Sequence, residues 1–170
     1  MSNIPDDAVR ETWDSSFEKT VKLAEIIREK SAEAGEDFDA IVVIPRGSYY
    51  PVNIIGRELG FKSVDYLHAC IGSYEDGEVQ AGEFKLGQMP TDDEVRGKSL
   101  LIIDEVCDKG RTLDFLTKRL NEQGAKHVRT AVLHYKANQS ETGFVPDWFV
   151  EQTDKWIVYP WELHEKSAQD

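Results

Sequence analysis

The stretch that decides the fold is Leu100–Leu113, L-L-I-I-D-E-V-C-D-K-G-R-T-L. Its first four residues form a short continuous apolar run, which is typical of a parallel strand covered on both faces. Asp104 and Glu105 follow at the carboxyl end of this strand, where ligands bind in open α/β sheets. Between Thr112 and Gln123 the leucines recur at helical spacing. The sequence therefore predicts a strand that ends at a binding site and a helix that begins inside that site.

The turn between this strand and this helix has the chemistry of a site for a ribose phosphate. Gly110 permits a tight turn and a close approach of the backbone to a ligand. Free N–H groups at the start of a helix favour a phosphate, and adjacent carboxylates accept hydrogen bonds from neutral hydroxyls. A ligand that carries both a phosphate and a vicinal diol satisfies both halves of the turn. A ribose phosphate is such a ligand.

The length and the cysteine content set the broad class of protein. A chain of 170 residues is long enough to fold as one domain, residues 1–170, without disulfides or structural metal. Cys70 and Cys107 lie far apart and lack the spacing of metal ligands, so we expect reduced thiols in a cytosol. No signal-peptide pattern opens the chain, and no apolar run approaches the ~20 residues of a membrane helix. We therefore expect a cytoplasmic protein that does not associate with membranes.

The formal charge of −12 argues against a nucleic-acid partner, because affinity for DNA and RNA comes mainly from lysines and arginines that neutralise phosphates. The same charge repels anionic small molecules. A site for such a substrate must therefore gather positive charge locally, and Arg46, Lys109 and Arg111 are residues that can supply it.

The rest of the chain alternates strand and helix signals. Ser15 and Glu18 form a capping-box pattern that predicts a long helix ending at Gly35. Its apolar stripe is expected at Phe17, Val21, Ala24 and Ile27. Further patterns predict strands over residues 39–44, 64–71 and 128–134, a helix over 52–59, and a long polar connection over 72–97 that is either a mobile functional loop or a β-excursion. This alternation predicts an α/β fold with a central, mostly parallel sheet flanked by helices.

Residues 104–112, D-E-V-C-D-K-G-R-T, resemble the phosphoribosyl pyrophosphate (PRPP) motif of the type I phosphoribosyltransferases. The usual motif has two acids, two variable residues, a small or acidic residue, Thr, Gly, a variable residue, and Thr or Ser. Lys109 departs from it, since the family usually has Thr at that position. Rossmann domains, receiver domains and nucleotide hydrolases also place acids after a strand, but their fuller signatures, such as G-x-x-x-x-G-K-[ST] and G-x-G-x-x-G, are not present.

The resemblance assigns a role to each part of this motif. It implies that Asp104 and Glu105 hold the ribose hydroxyls of PRPP. The 5′-phosphate would be held by the loop residues Asp108, Lys109, Gly110, Arg111 and Thr112. The family cofactor is Mg²⁺, which would be held mainly by substrate oxygens and water, with Asp104 and Glu105 as the candidate protein contacts.

Two further segments resemble elements of the same family. Arg46 and Gly47 follow an apolar strand and resemble its pyrophosphate loop, which often contains a cis non-proline peptide. Ser73 and Tyr74 resemble the Ser-Tyr signature on the mobile loop of the purine branch, a lid that excludes water from an oxocarbenium-like centre. Taken alone, the first pair would be an ordinary strand-to-helix turn and the second a polar turn.

The base site is implied by three residues near the carboxyl end of the chain. Lys136, Trp156 and Ile157 match the residues that, in xanthine-guanine and hypoxanthine phosphoribosyltransferases, donate to the 6-oxo group, stack on the purine and read its edge through the backbone. An ammonium discriminates well, because it donates to a carbonyl oxygen and clashes with an exocyclic amine. Asp108 is the residue that the resemblance implies as general base.

The resemblance implies a type I fold, with a core over residues 37–135 and a small base-binding hood formed by residues 136–165. The function expected is purine salvage, in which PRPP and a 6-oxopurine give a nucleoside 5′-monophosphate and pyrophosphate. A homodimer or homotetramer is expected on the same ground. The alternatives are a transferase for adenine or a pyrimidine, and a regulator that senses PRPP or nucleotides; the sequence does not fix which 6-oxopurine is preferred.

Overall fold

The computed structural model describes residues 4–73 and 84–162. Its helices are α1 (Trp13–Ala34), α2 (Tyr49–Glu58), α3 (Asp92–Val95) and α4 (Arg111–Glu122). Its strands are β1 (Val9–Arg10), β2 (Ala40–Val43), β3 (Tyr66–His68), β4 (Ile71–Ser73), β5 (Phe84–Leu86), β6 (Ser99–Cys107), β7 (His127–Tyr135), β8 (Trp148–Gln152) and β9 (Ile157–Val158). Within these ranges, no helix is both long and apolar enough to cross a membrane.

Five strands form a central sheet in the order β3-β2-β6-β7-β8, and each neighbouring pair is parallel. This confirms the predicted α/β fold with a parallel sheet. β8 lies within the range expected for the C-terminal hood, yet it pairs with β7 and forms one edge of the central sheet. β9 pairs with β1 in a separate two-stranded sheet, so the two ends of the described chain meet.

The central sheet is buried between two helical layers. Leu100 and Ile102 of β6 pack on one face, against the leucines of α4. Leu101 and Ile103 point the opposite way and pack with residues of α1 and α2. All four side chains are fully buried, as the continuous apolar run predicts. Each such burial is worth about 1.5–3 kcal/mol of transfer free energy, so β6 anchors the middle of the core.

The beginning of α1 differs from the sequence prediction. Thr12, not Ser15, is the N-cap: its hydroxyl oxygen accepts from the Ser15 N–H at 3.0 Å, and the Ser15 hydroxyl oxygen accepts from the Thr12 N–H at 2.9 Å. The helix therefore begins earlier, at Trp13. Phe17 was predicted in its apolar stripe but is 51 % exposed. The buried stripe is formed by Ser16, Thr20, Leu23, Ala24 and Ile27. Two hydroxyls in this stripe hid its periodicity.

The segment predicted as one strand over residues 64–71 is divided in two. β3 ends at His68 and pairs with β2, whereas β4 begins at Ile71 and pairs antiparallel with β5. The long polar connection is therefore a β-excursion in its described part. Phe84 of β5 packs with Phe115 of α4, at 5.0 Å between ring centres, which places this hairpin beside the helix of the PRPP motif.

Candidate active site

Three of the predicted site segments meet at the carboxyl edge of the sheet. β2 leads into Arg46 and Gly47, β6 carries Asp104 and Glu105 near its end, and β7 leads into Lys136. The three strands are adjacent and parallel, so their carboxyl ends lie side by side. Residues from distant parts of the chain are thereby brought to one edge, which is where ligands bind in open α/β sheets.

The loop between β6 and α4 has the backbone geometry of an anion site. Gly110 has φ of 77° and is the N-cap of α4, which begins at Arg111. The first N–H groups of a helix have no partners within it, so those of Arg111, Thr112 and Leu113 are available to a ligand. These donors and the positive end of the helix dipole favour a phosphate at this position.

Glu141, which the sequence analysis missed, is tied to this loop. Its N–H donates to the Lys109 carbonyl at 2.9 Å, and its carboxylate pairs with the Lys109 ammonium at 3.2 Å and with the Arg111 guanidinium. Hydrogen bonding to Lys109 is the main cause that lowers the pKa of Glu141, aided by the charge of Arg111. Two of the three cations expected to gather positive charge for an anionic substrate, Lys109 and Arg111, are therefore already paired with a carboxylate.

Gly110 is required at its position for two reasons. Its positive φ disfavours any residue with a side chain. A Cβ there would also lie 2.7 Å from the Thr142 hydroxyl oxygen and 3.1 Å from the Phe144 Cβ. The segment after β7 thus packs directly on the predicted phosphate loop.

The two carboxylates at the end of β6 share a confined space. The Glu105 N–H donates to a carboxylate oxygen of Asp104 at 3.0 Å. Burial, together with the neighbouring charge of Glu105, raises the pKa of Asp104 well above its usual range. The Glu105 carboxylate lies against Gly47, where a Cβ would come within 1.8 Å of its Oε1. Its Oε2 is buried and has no hydrogen-bond partner among the described residues. The two carboxylates can therefore accept hydrogen bonds from a ligand's hydroxyls or bind a cation.

The turn after β2 brings Gly47 to this carboxylate. The peptide bond between Pro45 and Arg46 is cis, the feature that the resemblance implied for a pyrophosphate loop. The Ser48 hydroxyl donates to the Ile44 carbonyl at 2.5 Å and closes the turn. Arg46 is exposed at the edge of the site, and α2 begins immediately afterwards at Tyr49.

The predicted base-site residues also come together. The Lys136 side chain is only 11 % exposed, and its Nζ lies 3.4 Å from a carboxylate oxygen of Asp108. The same Nζ lies 6.0 Å from the centre of the Trp156 ring, which is itself half exposed. The Lys136 N–H donates to the Cys107 carbonyl at 2.9 Å and holds the lysine beside the PRPP motif. An acid, an ammonium and an exposed aromatic face thus border one space.

Comparisons with known proteins identify the family of this chain. Residues 15–168 match the phosphoribosyl transferase domain family. The chain is 30 % identical over 158 residues to a xanthine-guanine phosphoribosyltransferase of Idiomarina loihiensis, covering 89 % of this chain and 91 % of that protein. The chain belongs to the phosphoribosyltransferase family. It is an enzyme of the transferase class, as the motif predicted.

Solved structures show the same fold over nearly the whole chain. A purine phosphoribosyltransferase from Pyrococcus horikoshii superposes with a TM-score of 0.75 at 28 % identity, covering 96 % of this chain and 99 % of that chain. A xanthine-guanine-hypoxanthine phosphoribosyltransferase from Helicobacter pylori superposes with a TM-score of 0.76 at 19 % identity, covering 92 % and 94 %. The type I phosphoribosyltransferase fold expected from the sequence is confirmed.

Ile157 differs from the other base-site residues because its side chain is buried in the core. Its backbone remains suitable for contact with a ligand. The carbonyls on either side of Ile157 are already paired: the Val9 N–H donates to the Trp156 carbonyl at 2.8 Å, and the Glu11 N–H donates to the Val158 carbonyl at 3.0 Å. Peptide groups alternate direction along a strand, so the carbonyl of Ile157 points away from β1.

Ser73 is the last residue of β4 and pairs with Phe84 of β5, which packs beside α4. Tyr74, its predicted partner on the mobile loop, lies outside the described residues. The flexible-loop role of this pair stays a prediction.

The Cys107 thiol lies within the PRPP motif but is buried. Cys70 and Cys107 are free, as expected for a chain without disulfides. Cys107 lies within the motif, and burial, with the carboxylates of Asp104 and Asp108, raises its pKa to about 12. The thiol therefore stays protonated at neutral pH and serves as a core side chain.

Proposed function

We propose that this phosphoribosyltransferase transfers the phosphoribosyl group of PRPP to a 6-oxopurine, releasing pyrophosphate and a nucleoside 5′-monophosphate in purine salvage. The observation that carries the proposal is the position of Lys136, whose ammonium lies between the Asp108 carboxylate and the Trp156 ring at the end of the PRPP motif. The names of the relatives from Idiomarina loihiensis and Pyrococcus horikoshii, a xanthine-guanine and a purine phosphoribosyltransferase, support a purine substrate.

The ribose end of PRPP fits the edge of β6. Asp104 and Glu105 would accept hydrogen bonds from the ribose hydroxyls, and the orphaned Oε2 of Glu105 would gain a donor. The 5′-phosphate would lie on the N–H groups of the loop from Asp108 to Thr112. Arg46 and the backbone at Gly47 would receive the pyrophosphate, next to the Glu105 carboxylate.

Asp108 and Lys136 would act on the purine. The Lys136 ammonium would donate to the 6-oxo group, and the exposed face of Trp156 would stack on the ring. Asp108 would face the imidazole part of the base and accept its proton as the glycosidic bond forms. Acceleration would come mainly from holding the base against the ribose and from stabilising charge that develops during the reaction.

The residues present also fit the magnesium ion expected for this chemistry. Carboxylate oxygens are the ligands that Mg²⁺ prefers, and the Asp104–Glu105 pair supplies them, with one buried oxygen that lacks a partner within the described part of the chain. Bound Mg²⁺ would neutralise charge on the pyrophosphate. The protein's own share is to place these carboxylates beside Gly47 and the ribose site.

The test is a turnover assay on the purified protein with PRPP and Mg²⁺ against hypoxanthine, guanine, xanthine, adenine, uracil and orotate. Turnover confined to one or more oxopurines would support the proposal and name the substrate. Turnover of adenine or a pyrimidine would assign a different base. Binding of PRPP without turnover of any base would favour the regulator alternative.

A cytoplasmic location and a homodimer or homotetramer complete the proposal. Both rest on the sequence and on the family. Light scattering on the purified protein measures the assembly directly, and a monomeric mass would remove that part of the proposal.

A further inference from the structure

A polar cluster, of which two members are buried, lies on the face of the sheet opposite α4. Its members come from the segment before α1, from α1, from β7 and from β8: Glu11, Lys19, His134 and Glu151. His134 is fully buried, and Glu11 is nearly so. The cluster connects to the active-site edge through Tyr159, whose side chain is also buried.

Three members of this cluster have the arrangement of metal ligands. One ligand atom from each of Glu11, His134 and Glu151 lies within 4.8 Å of the others. The Lys19 ammonium already occupies the position of a cation: it pairs with Glu11, lies 2.6 Å from Glu151 and lies 3.2 Å from Nε2 of His134. The Lys19 ammonium therefore neutralises the cluster, and the His134 imidazole connects the cluster to Tyr159.

The hydrogen bonds fix the direction of donation. The Tyr159 hydroxyl donates to the Glu105 carbonyl at 2.9 Å, because a carbonyl oxygen can only accept. The Tyr159 oxygen lies 2.8 Å from Nδ1 of His134 and must accept from it, so Nδ1 carries the proton. In the neutral imidazole, Nε2 then has a lone pair that accepts from the Lys19 ammonium. The chain of donors runs from Lys19 through His134 and Tyr159 to the main chain of Glu105.

The charges around the imidazole agree with this tautomer. The groups that face His134 are Glu11, Lys19, Glu151 and Tyr159. Burial and the Lys19 charge lower the pKa of His134, against the opposing effect of the two glutamates. Burial and the carboxylates of Glu105 and Asp104 raise the pKa of Tyr159, which keeps its hydroxyl as a donor.

The receiving carbonyl occupies a particular place in the sheet. β2 pairs with β6 from Ala40↔Leu100 to Val43↔Ile103, whereas β6 continues to Cys107. Glu105 lies in this extension, and its carbonyl accepts from the Tyr159 side chain. The Tyr159 ring is held in turn by stacking on Trp161, at 4.7 Å between ring centres.

We propose that His134 and Tyr159 are positioning residues, which hold the main chain at Glu105 and thereby set the paired carboxylates of Asp104 and Glu105 for the ribose of PRPP. Lys19 selects the tautomer that makes this possible. The inference rests on the proposed function, since it concerns PRPP binding at the same site.

The first test removes one hydroxyl. Tyr159→Phe keeps the ring and its stacking on Trp161, and it should raise the KM for PRPP about tenfold, because a buried hydrogen bond is lost, while the KM for the purine stays within about twofold. Tyr66→Phe is the matched control, since the Tyr66 hydroxyl packs on Gly56 of α2. The control should keep both KM values. Equal KM for PRPP in wild type and Tyr159→Phe would overturn the proposal.

The second test uses the geometry of the imidazole. His134→Asn places an amide N–H near the position of Nδ1 and should keep the KM for PRPP closer to wild type than His134→Leu, which has no donor. Nitrogen-15 spectra of the wild-type histidines should show Nδ1 of His134 protonated and Nε2 unprotonated at neutral pH. The opposite tautomer, or equal KM values in the two variants, would contradict the relay.

These readouts separate the two ideas. If the wild-type protein transfers the phosphoribosyl group to no base, the proposed function fails, and the dissociation constant for PRPP, measured by calorimetry on the same variants, replaces KM. If the wild type is active and the Tyr159→Phe variant matches it, the relay fails and the proposed function stands.

Discussion

The Nζ of Lys136 lies 3.4 Å from a carboxylate oxygen of Asp108, so the first residue after β7 reaches the third acid of the PRPP motif. The two side chains come from adjacent strand ends, and each can act on a different part of a purine. The lysine can donate to an exocyclic oxygen, whereas the aspartate can accept a ring proton. Their pairing gives the site a polarity that suits an oxopurine.

Replacing Asp108 by asparagine keeps the size of the side chain and removes its basicity. We expect kcat to fall about 10²- to 10⁴-fold, the usual share of a general base, with little change in the affinity for PRPP. The measurement is steady-state kinetics with calorimetric PRPP binding. Asp93→Asn, on the exposed surface of α3, is the control and should match wild type. Unchanged turnover in Asp108→Asn would remove this residue from the base role.

Removing the carboxylate of Glu141 should strengthen PRPP binding. The residue neutralises Lys109 and Arg111, and these exposed pairs add little stability, so the main effect of Glu141→Gln is to remove a negative charge near the phosphate loop. We expect the KM for PRPP to fall about two- to fivefold at low ionic strength, with a smaller change at high salt.

The control for this variant is Glu122→Gln, which removes the same charge at the far end of α4. It should leave the KM for PRPP unchanged. A higher KM in Glu141→Gln would show instead that the pairing with Lys109 and Arg111 orders the loop for binding. Lys109 departs from the usual threonine of the family motif, and its pairing with Glu141 is the structural counterpart of that departure.

Gly110→Ala should be more harmful than the same change at another left-handed glycine. Gly60 has φ of 80°, and a Cβ there meets nothing within 4 Å in the described structure, so Gly60→Ala reports the backbone penalty alone, about 1–2 kcal/mol. Gly110→Ala adds the contacts with Thr142 and Phe144. Thermal unfolding should rank the variants in this order, and only Gly110→Ala should weaken PRPP binding. Equal effects of the two substitutions would contradict the close packing at the loop.

The buried residues His134 and Glu11 should make the protein less stable in acid. The pKa of His134 is lowered from its ordinary 6.5 by burial and Lys19, so the unfolded chain binds a proton that the folded chain does not. The free energy of unfolding should therefore decrease as the pH falls below about 6.5. The pKa of Glu11 is also lowered, and its contribution is lost in the same direction at lower pH.

Denaturant unfolding between pH 7.5 and pH 5 measures this dependence. His134→Asn should flatten the slope near pH 6, because no imidazole remains to be protonated at this position. An identical slope in wild type and variant would show that His134 does not govern acid stability.

Much of the fold follows from local sequence. The run from Leu100 to Ile103 has no polar residue, which is typical of a parallel strand that is buried on both faces of its sheet. The turn chemistry of Gly110 and the apolar spacing of α4 are likewise visible without a structure. The extent of β6 was harder to predict, because the strand continues through Asp104 and Glu105, whose charges conceal its extended backbone.

The features that the sequence did not reveal depend on distant contacts. Glu141 reaches Lys109 only because the segment after β7 packs on the loop, and no local pattern marks it. β8 was hidden in an aromatic tail, since its pairing with β7 depends on the order of strands. Tyr159 was one of several aromatic residues in that tail, and only the fold shows that its hydroxyl meets Glu105.

The most direct test of the account is the ratio of kcat/KM for hypoxanthine to that for adenine, in wild type and in Lys136→Met. Because Lys136 donates to the 6-oxo group, the wild-type ratio should strongly favour hypoxanthine, and the variant should lose about 10- to 100-fold of that preference. Lys126→Met, exposed at the opposite end of β7, should keep the wild-type ratio. A wild-type preference for adenine, or an unchanged ratio in Lys136→Met, would contradict the assignment of this protein as a 6-oxopurine phosphoribosyltransferase.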